Sequence, residues 1–153
     1  MFNHSPHDYI CPICLGVKGI ENKNTLLKKT DLIYGDDYIS IFVNSFFIKG
    51  NEGHIIIVPN SHYEHIYDLP EKIAHHIIDN TKKYSIAMKK AYNCKGITLQ
   101  QNNEPAGGQH AFHFHLHIFP RYTNDSFFKN VKSKIDTTQE ERTLYVNKFK
   151  SFV

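Results

Sequence analysis

The sequence contains no apolar run approaching the ~18 residues that a bilayer span requires, so a membrane-spanning helix is not expected. Met1 to Tyr9 has neither a basic start nor an apolar core and does not read as a secretory signal. The expected compartment is the cytoplasm. Cysteine is scarce and odd in number, at three. Without a secretion signal, that count argues against a disulfide framework. No internal repeat, low-complexity tract or composition shift marks a linker, and one domain over residues 1–153 is the simplest account. Strong charge of one sign is also missing. The formal net charge is +3, and the lysines are dispersed, with their densest run at Lys129, Lys132 and Lys134. That balance favours anionic ligands in general and equally fits solvated surface lysines. No nucleic-acid footprint is read from it.

What is present is an ordinary globular composition, 41% apolar and 22% charged. Residues 31–49 are β-like, with a turn at Gly35-Asp36-Asp37 and a β-branched and aromatic run from Tyr38 to Val43. A second turn, residues 50–53, precedes His54-Ile55-Ile56-Ile57-Val58, which reads as a buried strand ended by Pro59. Leu69-Pro70-Glu71 opens a helix, with Asp68 and Glu71 spaced as a capping box. Ile73, Ile77, Tyr84, Met88 and Ala91 continue it at helical spacing until Asn93 and Gly96. Another strand is expected over 96–101, a polar loop over 102–109 and a short terminal helix over 139–149.

The eleven histidines are clustered. In Ala111-Phe112-His113-Phe114-His115-Leu116-His117-Ile118-Phe119-Pro120, histidine and apolar residues alternate strictly. On a strand this places His113, His115 and His117 on one face, neighbours roughly 7 Å apart, and Phe114, Leu116 and Ile118 in the core. Packing alone is a poor reason for such a row, because burial demands partners for every ring nitrogen. A polar sheet face open to water is the alternative. Imidazole can attack phosphorus, donate to a phosphate oxygen or bind a metal. The Gly107-Gly108-Gln109 approach would let backbone N–H groups come close to an anion. His75 and His76, on the long helix, read as solvated or packing residues. Cys11-Pro-Ile-Cys14 is half of a zinc site or a redox pair, and no thioredoxin-like βαβ pattern surrounds it to support the latter. Cys94 reads as a small buried side chain.

Together these segments resemble the histidine triad (HIT) family of nucleotide hydrolases and transferases, in its bacterial zinc-knuckle form. His113-Phe-His115-Leu-His117-Ile-Phe119 is similar to the family's H-φ-H-φ-H-φ-φ signature. Gly53-His54 through Pro59 and His62 resembles its G-H-φ-φ-φ-φ-P-x-x-H segment, and Asn102 to Gln109 its N-x-x-x-x-G-x-Q loop. The four pieces fall in the family's order over residues 11–122, leaving an N-terminal arm at 1–10 and a segment at 123–153 that matches nothing in the family.

The resemblance implies an α+β fold: a mainly antiparallel sheet of about five strands, one long helix and a short C-terminal helix, paired as a homodimer. It implies cleavage of a nucleoside monophosphate from a phosphoramidate or dinucleoside polyphosphate through a nucleotidyl-histidine on His115. His117 would bond the phosphate, Gln109 the phosphate or leaving-group oxygen, and His54 would lie beside the pocket. Asn44 would reach the ribose, and Asn102, Gly107 and Gly108 would line the phosphate site of a purine nucleotide. Cys11, Cys14, His62 and His113 would hold a structural zinc. The competing readings are a nucleotidyl transferase, a non-catalytic nucleotide- or partner-binding module, and a zinc-dependent hydrolase. The last requires an open coordination position that a Cys2His2 set does not leave. Two departures stand out. His110 occupies a position where the family often has Ser or Thr, and no tryptophan is present.

Overall fold

A computed structural model describes residues 2–153. Its elements run α1 (Pro12–Val17), β1 (Leu32–Gly35), β2 (Ile39–Val43), β3 (Phe46–Ile48), β4 (Ile55–Pro59), α2 (Glu71–Tyr92), β5 (Gly96–Gln101), β6 (Leu116–Arg121), α3 (Phe127–Asn130), β7 (Lys134–Asp136) and α4 (Gln139–Lys150). Five strands form an antiparallel sheet in the order β1-β2-β4-β6-β5, and β3 pairs with β7 in a separate two-stranded ribbon. The α+β architecture, the long helix and the C-terminal helix are as the sequence implied. No helix is long and apolar enough to cross a membrane among the described residues.

The central strands β2 and β4 are buried along their whole length because both sheet faces are covered. Alternation decides which side chain goes where. Ile39, Ile41, Ile55 and Ile57 point to the face that α2 and α4 close with Tyr84, Met88, Val146 and Phe149. Phe42, Ile56 and Val58 point the other way, against Cys11, Ile13 and Leu27. Phe114, Leu116 and Ile118 join the helix-covered core, as the period-2 pattern required. Helix α2 stops at Asn93, whose φ of 50° is left-handed.

Two local expectations fail for identifiable reasons. Asp68 does not cap α2. It belongs to a 3-10 turn at Ile66–Asp68, and its carboxylate accepts the backbone N–H of His65 at 3.1 Å. The extended Pro70 intervenes and takes the N-cap position itself. The histidine strand is also shorter than its pattern, starting at Leu116 and not at Ala111. Ile57 pairs with Leu116, and two positions further along β4 lies Pro59, which has no N–H to continue the ladder. The chain turns away instead, with the Phe114 N–H donating to the Tyr63 carbonyl at 2.6 Å.

The C-terminal segment is anchored by a buried ion pair. Arg142 Nε donates to Asp31 Oδ1 at 2.8 Å, and the two side chains are 7% and 0% exposed. Gln139 Nε2 and the Lys28 N–H complete the shell around Asp31. Removing the guanidinium leaves a buried carboxylate without its countercharge. Arg142→Ala is therefore expected to cost about 3 kcal/mol, read from urea unfolding. A loss below about 1 kcal/mol would place the pair among weak surface contacts.

Candidate active site

Helix α1 with its N-cap, the loop after β4 and the segment before β6 bring four metal-binding side chains together. Donor atoms of Cys11, Cys14, His62 and His113 all lie within 4.8 Å of one another. Cys11 Sγ and Cys14 Sγ are each 3.4 Å from His113 Nδ1, and Cys14 Sγ is 3.4 Å from His62 Nδ1. The knuckle is preorganised, since the Cys14 N–H donates to Cys11 Sγ at 3.3 Å. His113 Nε2–H donates to the Pro59 carbonyl at 3.0 Å, which leaves the Nδ1 lone pair facing the thiols. A carbonyl holding the remote nitrogen is how metal-binding histidines are oriented. Burial pushes the Cys11 thiol up to about 12, so a thiolate there needs a cation beside it. The set can hold a metal ion.

His115 and His117 separate from His113 at this point. Both line a cavity of about 730 Å³ on the α1 side of the sheet, together with Asn44, Asn102, Gly107 and Gly108. The His115 and His117 rings meet edge to face, with centroids 4.9 Å apart. His115 Nδ1–H donates to the His113 carbonyl at 2.7 Å, which fixes its tautomer and leaves Nε2 with a free lone pair. Burial lowers the His115 pKa, and burial followed by the proximity of His115 lowers that of His117 well below the ordinary value. Both rings are neutral at pH 7, which is the nucleophilic form of imidazole.

His54 lies directly behind His117, with ring centroids 5.5 Å apart, and stacks on Phe119 at 4.4 Å. It is fully buried, and desolvation with the nearby Lys134 charge lowers its pKa to about 3. Gly53 sets its entry with a φ of 76°, and a Cβ at that position would strike the Tyr145 ring. Asn44 Nδ2 donates to His54 Nε2 at 2.6 Å, while its Oδ1 accepts the Ser45 N–H at 3.0 Å. Asn44 thus borders the cavity but commits much of its amide to holding His54.

Gln109 is placed differently from its expected role. It is 3% exposed and is not among the residues lining the cavity. Its Nε2 donates to the Glu64 carbonyl and its Oε1 accepts the Glu104 N–H, both at 2.7 Å. The glutamine braces the loop from behind. In the loop itself, Gly108 has a φ of 85°, which L side chains rarely adopt, and its carbonyl accepts Asn102 Nδ2 at 3.1 Å. A Cβ on Gly107 would meet nothing within 4 Å, so that glycine is not crowded by protein.

Sequence reasoning missed part of the wall. Phe46, Ile48, Lys132 and Lys134 also line the cavity. They arrive through the β3–β7 ribbon, where Lys134 pairs with Ile48 and its Nζ sits 4.2 Å over the Phe46 ring. The lysine run itself was visible in the sequence, but β7 is exposed at all three positions and carries no burial pattern that would reveal its pairing.

The HIT domain model matches residues 26–124. A HIT-like protein of Saccharolobus solfataricus is 34% identical over 61% of this chain and 66% of its own length. An Arabidopsis thaliana protein named as an adenylylsulfatase is 30% identical over 73% of this chain and 54% of its own. The chain thus spans about half to two thirds of these curated relatives. Among solved structures, the Plasmodium falciparum diadenosine triphosphate hydrolase matches with a TM-score of 0.72 and 22% identity, covering 99% of this chain and 88% of the other.

Proposed function

Because this chain belongs to the HIT-domain family, we propose that it hydrolyses a phosphoramidate or dinucleoside polyphosphate and releases a purine nucleoside monophosphate. The observation that carries this reading is the His115 tautomer: Nδ1–H held by the His113 carbonyl, Nε2 free at the cavity wall. Nε2 attacks the α-phosphorus, the bond to the leaving nitrogen or oxygen breaks, and that atom leaves with its electron pair and takes up a proton from water. Water then cleaves the P–N bond to His115, giving the monophosphate and restoring the imidazole. His117 bonds a phosphate oxygen, with His54 and Asn44 fixing its position from behind. Gln109 positions the loop that carries Asn102, Gly107 and Gly108.

We assign zinc to Cys11, Cys14, His62 and His113, because two thiolates and two imidazoles complete a closed tetrahedral site. Such an ion would hold structure and polarise nothing. Through His113 it would steady the carbonyl that orients His115. The reading also places the protein in the cytoplasm, where its unlinked thiols would stay reduced, and pairs it as a homodimer, for which β5 offers an open edge bonded on one side only.

Lys132 and Lys134 favour the more highly charged substrate class, since each added phosphate brings charge toward them. A panel of adenosine phosphoramidate, diadenosine polyphosphates and a nucleotide sugar tests this by product analysis. AMP is expected from the first two classes. The Lys132→Ala/Lys134→Ala pair should raise KM for the polyphosphate about tenfold, worth ~1.4 kcal/mol, with little change for the phosphoramidate. Binding of AMP without turnover of any substrate would leave the non-catalytic module as the reading.

A further inference from the structure

A second group of metal-binding side chains lies outside the cavity, where the N-terminal arm crosses the segment between β4 and α2. His4, Glu64 and His65 each offer one donor atom, and these lie within 4.8 Å of one another. Glu64 is 4% exposed and His65 is fully buried, with His4 covering them from the arm.

The hydrogen bonds around His65 leave a conflict. Its Nδ1–H donates to Asp68 Oδ2 at 3.1 Å, which leaves Nε2 as the ring nitrogen that can bind a metal. That buried nitrogen has no hydrogen-bond partner and sits 3.3 Å from Glu64 Oε1. That nitrogen and a carboxylate oxygen face each other in a desolvated site, and a positive charge between them, carried by a metal ion or by a proton, makes the contact favourable. Glu64 Oε1 already accepts the His4 N–H at 2.6 Å, and it lies 3.9 Å from His4 Nδ1. His4 Nε2 is turned toward Glu104, 3.6 Å from Oε2. Both imidazoles therefore have one nitrogen directed at an outer carboxylate and the other at Glu64, the carboxylate–histidine–metal arrangement.

We propose that His4, Glu64 and His65 bind a second divalent transition-metal ion, separate from the Cys2His2 set. Two imidazoles and one carboxylate are a zinc donor set that leaves coordination positions for water. The ion would pin the arm against the brace of the cavity loop. The Glu64 carbonyl holds Gln109, the Ile66 N–H donates to Asn103 Oδ1 at 2.9 Å, and the Tyr67 hydroxyl donates to Glu104.

The test is a metal count on the full-length protein, stripped with chelator, equilibrated with Zn²⁺ and desalted. Two zinc ions per chain are expected, falling to one in His4→Ala and to one in His65→Gln. His4 is on the exposed arm, so its replacement leaves the fold intact. A Co²⁺ titration separates the sites. Thiolate-to-cobalt absorption should saturate at the first equivalent, and the second should add only the weak bands of a site without sulfur. His4→Ala should keep the thiolate band and lose the second equivalent. One metal per chain in the wild type would overturn the proposal and leave a proton on His65 as the bridging charge. Two metals retained in both variants would overturn it equally. Neither readout passes through turnover, so the result is independent of the role given to His115.

Discussion

His115→Asn is expected to fold and bind AMP normally while losing about a thousandfold in kcat, equivalent to ~4 kcal/mol of transition-state stabilisation. The ring makes a single side-chain hydrogen bond, to the His113 carbonyl at 2.7 Å, and an asparagine amide supplies a donor of similar reach. Structure is therefore retained and the nucleophilic nitrogen is lost. Binding is checked by the rise in melting temperature with AMP, which reaches about 2.7 kcal/mol of stabilisation at a hundred times Kd. Rapid acid-free quenching of the wild type with substrate labelled in the nucleoside phosphate should trap label on the protein through a base-stable, acid-labile bond. If the variant keeps more than about a tenth of the wild-type kcat, or still takes up label, another residue is the nucleophile.

Cys14→Ser should lose one equivalent of zinc and about 5 kcal/mol of stability, part of the roughly 10–16 kcal/mol with which structural zinc binds small domains. The cost is large because α1 reaches the rest of the protein through this cluster and a modest apolar patch of Cys11, Ile13 and Leu27. Activity should fall as well, since His113 carries both a donor atom of the cluster and the carbonyl that orients His115. Cys94→Ser is the control. Cys94 is buried beside the Met88 carbonyl, away from the cluster, and its replacement should keep the full metal content at a smaller cost in stability. Equal losses in the two variants would remove the cluster from the account of stability.

The site was unevenly legible. The histidine alternation was readable because strand period and hydrophobicity are local properties, and Phe114, Leu116 and Ile118 duly enter the core. The same pattern did not show that the strand begins at Leu116. That boundary depends on a proline in β4, far away in sequence, and on the Tyr63 carbonyl that takes the Phe114 N–H. Gln109 shows a related limit. The family resemblance implied a phosphate or leaving-group contact for it, but the amide is hydrogen-bonded to the Glu64 carbonyl and the Glu104 N–H, partners that sequence spacing does not reveal.

The sequence by itself determined the helices, the central strands and the run of histidines, because each is written in residues within a few positions of one another. Asn93 could stop α2 in left-handed conformation, and the consecutive β-branched run Ile55-Ile56-Ile57-Val58, closed by Pro59, suits a strand with two buried faces. Tertiary structure decided which nitrogen of each histidine is free. It also decided that Lys134 returns to the cavity on a ribbon with β3, and that Asp31 is neutralised by Arg142. Those outcomes depend on hydrogen bonds and charges meeting across long chain separations. The partner of a buried polar atom is chosen by whatever the fold brings within about 3 Å.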